Sequence, residues 1–97
     1  MGIRAHRITE VKYSDYDSFS THDEELLDFI QSNNDGGYYD QVNMDGVGHV
    51  VVAVSVLRAA IAKAAELDID ADTVKVLRRD IAAAKKQGDS SVTYSMF

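Results

Sequence analysis

Residues 3 to 13 alternate: Ile3, Ala5, Thr9, Val11 and Tyr13 share one parity, Arg4, His6, Glu10 and Lys12 the other, and Ile8 breaks the pattern. A period of two sends successive side chains to opposite faces, so the stretch predicts a first strand. Turn residues follow from Ser14 to Ser20, and Thr21 with Glu24 forms a capping-box pair ahead of Leu26, Leu27, Phe29 and Ile30. The expected helix runs from about 22 to 32 and ends at Asn33-Asn34-Asp35-Gly36-Gly37. Asp23, Glu24 and Glu25 fall in its first turn, where the macrodipole favours negative charge.

Tyr38 to Met44 and Val47 to Val54 flank Asp45-Gly46. A type I′ turn needs positive φ at both central residues and selects such a dipeptide, so a β-hairpin is expected with Met44 opposite Val47 and Val42 opposite His49. The run Val50-Val51-Val52-Ala53-Val54 reads as a central strand covered on both faces. Ser55 is placed as the cap of a second helix with Leu57, Ala60, Ile61 and Ala64 on one face, and Asp68 lies past its end. A third helix starts near Asp70, buries Val74, Leu77, Ile81 and Ala84, and stops at Gly88 after Lys85 and Lys86. The short link between the two makes them an antiparallel pair. Val92, Tyr94 and Met96 alternate with Thr93, Ser95 and Phe97 as a last strand.

The order β-α-β-β-α-α-β over residues 1 to 97 predicts one α+β domain: about four largely antiparallel strands with three helices on one face. Strand order is left open, with a right-handed crossover expected if the first strand and the hairpin run parallel. At 97 residues and 45% apolar content, one two-layer core is within reach without staples. The absence of Cys removes disulfides, thiolate nucleophiles and Cys-rich zinc sites, and suits the cytoplasm. The N-terminus has no apolar h-region, and Val50 to Leu57 is far too short to cross a bilayer.

Charge is where the chain departs from an ordinary domain. The net charge is −6, and residues 1 to 50 carry ten acidic against three basic side chains, whereas residues 51 to 97 carry six against seven. No Lys or Arg occurs between Lys12 and Arg58, while Asp15, Asp17, Asp23, Glu24, Glu25, Asp28, Asp35, Asp40 and Asp45 do. Tyr13, Tyr16, Phe19, Tyr38 and Tyr39 are interleaved with them. Rigid aromatics beside fixed negative charge are the composition of a surface that meets a basic protein. Asp15, Tyr16, Asp17, Asp23, Glu24, Glu25, Asp28, Tyr38, Tyr39 and Asp40 are therefore the candidate partner-binding residues. The competing account is that these carboxylates serve solubility and helix capping while the tyrosines pack half-buried on the sheet.

Other motifs carry less. Asp68-Ile69-Asp70-Ala71-Asp72 opens like a calcium loop, but Thr73 stands where Gly is needed and Arg79 where a bidentate Glu is needed, so Asp70 reads as a helix cap. His6, His22 and His49 share no ligand spacing, and His49 is the one the apolar run could bury. No dinucleotide fingerprint, P-loop or nucleophile elbow is present. Arg58, Lys63, Arg78, Arg79, Lys85 and Lys86 are interleaved with Ala and read as solvated helix faces.

The reading is a non-enzymatic, cofactor-free protein that binds a partner with a basic surface, without direct contact to nucleic acid or membrane. Small acidic α+β domains of this kind resemble the inhibitor proteins that phages and mobile elements direct at host nucleic-acid-handling and defence machinery, including CRISPR effectors. The alternative is a homo-oligomer that sequesters a nucleotide or other small molecule through Arg4, His6, Arg7, Arg78 and Arg79. A His–Asp hydrolase ranks third. Met96 and Phe97 are expected in an edge strand docked on the core, with a homodimer contact as the other reading.

Overall fold

The last stretch of the chain, and not the valine run, lies inside the sheet. The computed structural model describes residues 3–7, 18–20 and 22–97, His6 by its backbone alone. In chain order it contains β1 (Arg4–Arg7), β2 (Phe19–Ser20), α1 (Glu24–Asn33), a 3-10 turn at Tyr38–Asp40, β3 (Gly48–Ala53), α2 (Val54–Ala62), α3 (Ala71–Lys86) and β4 (Ser91–Met96). The four strands form one antiparallel sheet in the order β2-β1-β4-β3. This is the α+β class expected, with three helices and a four-stranded antiparallel sheet among the described residues, but the order is β-β-α-β-α-α-β: Phe19–Ser20, read as part of a turn, pairs with β1 as the second strand.

Pairing fixes which residues meet. Val50 lies opposite Tyr94 and Val52 opposite Val92, and all four are buried against Leu26, Leu27 and Ile30 of α1, Leu57 and Ala60 of α2, and Leu77, Ile81 and Ala84 of α3. β1 adds Ala5 opposite Met96 and Arg7 opposite Tyr94. The helical positions are those the 3.6-residue period selects.

Several expectations are corrected. The valine run is an edge strand, with only β4 beside it, and only one of its faces is covered: Val50 and Val52 are buried, whereas Val51, 43% exposed, and His49 share the open face. Conversely, Met96 lies in an interior strand and is buried, with Phe97 exposed beyond it. Residues 38 to 44 do not form a strand, and the hairpin is reduced to one bridge, Val42 to Gly48. The reason lies in Asn43, whose Oδ1 accepts the backbone N–H groups of Asp45 at 2.9 Å and Val47 at 3.0 Å. That side chain closes a longer loop in which Gly46 alone has positive φ, so no type I′ turn forms. Gly48 is required at the bridge, since a side-chain carbon there would come 2.6 Å from the Gln41 carbonyl oxygen.

Helix ends also differ. α1 is capped by Asp23, whose carboxylate accepts the Ser20 N–H at 2.8 Å instead of an N–H within the helix; Thr21 lies outside the described residues. α2 leaves β3 without a linker, with Ala53 and not Ser55 at its cap and the Val54 N–H bonded to the Ser90 carbonyl at 2.9 Å. α3 follows expectation: Asp70 Oδ1 accepts the Thr73 N–H at 2.7 Å, and Gly88 at φ +78° closes it. The Asp89 and Gly88 N–H groups return to the carbonyls of Ala84 and Lys85, a Schellman ending. The expected strand beyond Arg7 falls outside the described residues.

Candidate functional site

α1 carries two opposed faces. Leu26, Leu27 and Ile30 enter the core, while Glu24 and Glu25 are exposed at its dipole-positive end and Asp28 one turn further on. The chain then crosses back over this acidic face. The Tyr39 hydroxyl donates to Asp28 at 3.2 Å, the Tyr39 N–H donates to Gln31 Oε1 at 2.7 Å, and the Gln31 amide donates to Asp40 at 3.4 Å. These three bonds hold the 3-10 turn against α1 and bring Glu24, Asp28, Tyr39 and Asp40 together.

Beyond the turn, the loop closed by Asn43 projects Met44, which is fully exposed. Between loop and helix lies a cleft of about 410 Å³ with Glu24 and Asp28 on one side, Tyr39 and Met44 on the other, and Leu27, Tyr38 and Val42 among its lining. No Lys, Arg or His among the described residues lines it. The surroundings register on both tyrosines. Partial burial, the bond to Asp28 and the charges of Asp28 and Glu24 raise the Tyr39 pKa. Burial, with a smaller contribution from Tyr39, pushes Tyr38 up to about 12.

The predicted surface residues thus divide. Glu24, Asp28 and Tyr39 line the cleft, with Asp40 held beside it by Gln31, and Glu24 also borders the hollow described next. Glu25 and Asp23 turn toward a smaller hollow of about 130 Å³ shared with His22 and Asp68. Tyr38 is not a surface anchor, being only 1% exposed, and its ring packs edge-on to Tyr39 at 5.2 Å between centroids. Phe19 is likewise in the core, edge-on to Tyr94. Tyr13, Asp15, Tyr16 and Asp17 lie outside the described residues. His49 is exposed, not buried as the apolar run around it suggested.

One group that matters structurally was not singled out by sequence. Asp80, fully buried on α3, accepts bonds from the Ser18 hydroxyl at 2.6 Å, the Tyr94 hydroxyl at 2.8 Å and the Arg7 Nε at 3.2 Å. Its position was readable, because residue 80 lies three after Leu77 and four before Ala84 on the buried stripe. Arg7 holds the apolar parity of β1, which is the matching clue. Arg7 is therefore committed to Asp80 and is withdrawn from the expected anion-binding set.

On the other helices, Arg58, Ile61 and Ala62 of α2 face Arg78, Ile81, Ala82 and Lys85 of α3 across a groove of about 500 Å³. No helix among the described residues is long and apolar enough to cross a membrane. No protein-family model, curated protein or solved structure matches this chain.

Proposed function

We propose that this is a non-enzymatic, cytoplasmic binding protein that occupies a basic surface of a partner protein through the face formed by α1 and the 3-10 turn. The observation that carries the reading is the cleft: two carboxylates, an exposed tyrosine and an exposed methionine line it, with no cation among the described residues of its lining. A lysine or arginine side chain combines an aliphatic stem with a charged head, and such a cleft offers a wall for each. Carboxylates on a rigid scaffold compete with phosphates for the same partner cations, which is how a protein resembling phage-encoded inhibitors would act on nucleic-acid-handling or defence machinery.

The test compares wild type with Glu24→Lys/Asp40→Lys in affinity purification from lysate, followed by titration against the purified protein retained. Both positions are exposed, so the variant keeps its core. A basic nucleic-acid-handling protein should bind wild type and lose at least tenfold in affinity with the variant. Equal binding by both proteins, or a retained partner without a basic surface, would refute the assignment.

A further inference from the structure

The α2–α3 groove differs in kind from the acidic cleft. Its lining repeats one pattern on both helices: a cation at position i, a branched apolar residue at i+3 and an alanine at i+4, namely Arg58, Ile61 and Ala62 on α2, and Arg78, Ile81 and Ala82 on α3. Lys85 follows one turn later on α3. Residues three and four apart share a helix face, so both helices aim the same face into a common trough. The alanines keep it open. Arg58, Arg78 and Lys85 are exposed and make no ion pair with any described carboxylate.

In a protein of net charge −6, three unpaired cations around an apolar floor form a local reversal of the overall field. Solvated lysines and arginines on helices are ordinary, but here they surround Ile61 and Ile81 and not merely water. The trough continues past Arg58 and Lys85 into a second hollow of about 550 Å³ floored by Val54 and closed by Gly88 and Ser90, whose lining includes one carboxylate, Asp89. From Arg78 to Lys85 the α3 side spans about 10 Å at 1.5 Å per residue. Volume and lining fall in the range of small-molecule sites, which are mostly apolar with a few placed polar groups.

We infer that this groove is a binding site for small amphipathic organic acids, with an acyl or aromatic body seated on Ile61 and Ile81 and its carboxylate held by Arg58, Arg78 and Lys85. Complementarity selects this occupant on both counts. A purely apolar ligand leaves three cations unanswered, and a purely ionic one leaves the floor wet. The guanidinium forks of Arg58 and Arg78 match a carboxylate in two-point geometry. This site is independent of the acidic face and does not rest on the reading given above.

The test is a two-dimensional amide NMR titration of the intact chain with decanoate, decanol and inorganic phosphate in parallel. Decanoate should saturate and shift resonances confined to residues 54 to 62 and 78 to 90, and should bind at least tenfold more tightly than either decanol or phosphate. Arg58→Glu/Arg78→Glu should weaken decanoate at least tenfold, and Ala82→Trp, which fills the trough from an exposed position, should abolish binding while the spectrum stays folded. Glu24→Lys/Asp40→Lys should bind decanoate like wild type. Decanol binding as tightly as decanoate would reduce the groove to an apolar crevice, and phosphate binding as tightly would reduce it to an ionic patch. Either result overturns the assignment, as do shifts mapping elsewhere or no saturation at millimolar ligand.

Discussion

Tyr38 places a hydroxyl in the core with no hydrogen-bond partner among the described residues. Desolvating such a group without a partner costs about 1–3 kcal/mol. Tyr38→Phe should therefore stabilise the protein, by about 1 kcal/mol in chemical unfolding. A loss of stability would show that the hydroxyl is bonded after all. The same residue sets an alkaline limit. Because burial raises its folded pKa to about 12, above the ordinary 10.0, its contribution is complete below pH 10 and is lost as pH rises toward 12. Over that window Tyr38→Phe should lose stability with a shallower slope than wild type. Asp80 is the opposite case, a buried charge fully answered by Arg7, Ser18 and Tyr94. Asp80→Ala strands Arg7, itself only 15% exposed, and should cost about 3–5 kcal/mol. A cost under about 1 kcal/mol would mean that the network does not tie β1 to α3.

At the scale of elements, the edge strand β3 shows how the fold replaces a missing neighbour. The Val51 N–H donates to Gln41 Oε1 at 3.0 Å, and the Ala53 N–H donates to Asn34 Oδ1 at 2.9 Å. The Val51 carbonyl accepts the Asn34 amide at 2.8 Å and the Gln41 amide at 3.3 Å. Two side-chain amides thus imitate a paired strand and block the open edge against another chain. Asn34→Ala with Gln41→Ala should speed amide exchange at Val51 and Ala53 selectively and promote concentration-dependent association. Unchanged exchange at both amides would count against this role. The same feature explains why the expected hairpin does not form: the Asp45-Gly46 dipeptide announces a strand pair, whereas Asn34, Gln41 and Asn43 act through side-chain geometry that periodicity does not record.

At the scale of the molecule, the described residues form two local clusters of opposite sign. Glu24, Asp28 and Asp40 gather beside Tyr39 and Met44, while Arg58, Arg78 and Lys85 gather around the α2–α3 groove. Exposed charges are screened within about 10 Å at 0.1 M salt, so affinity for the basic partner of the proposed function should fall as salt rises. Salt-independent binding would shift the weight to Tyr39 and Met44. An amphipathic acid in the groove should be less sensitive, since part of its affinity comes from apolar burial.

The sequence by itself determined the first-half excess of carboxylates, and it determined the three helices, the Asp70 cap, the Gly88 stop and the centre of each buried stripe, because these depend on neighbours within about four residues; Ala64 and Val74, expected in those stripes, are only partly buried. It also determined the α+β class, which follows from the two periods. Tertiary structure alone decided that β4 lies inside the sheet and β3 at its edge. It also put Tyr38 in the core and Tyr39 on the surface, and joined Arg7 to Asp80 across 73 residues of chain. The two faces are likewise tertiary products. One needs a turn folded back over α1 and the other needs two helices side by side, and local periodicity specifies a helix face without specifying what lies across from it.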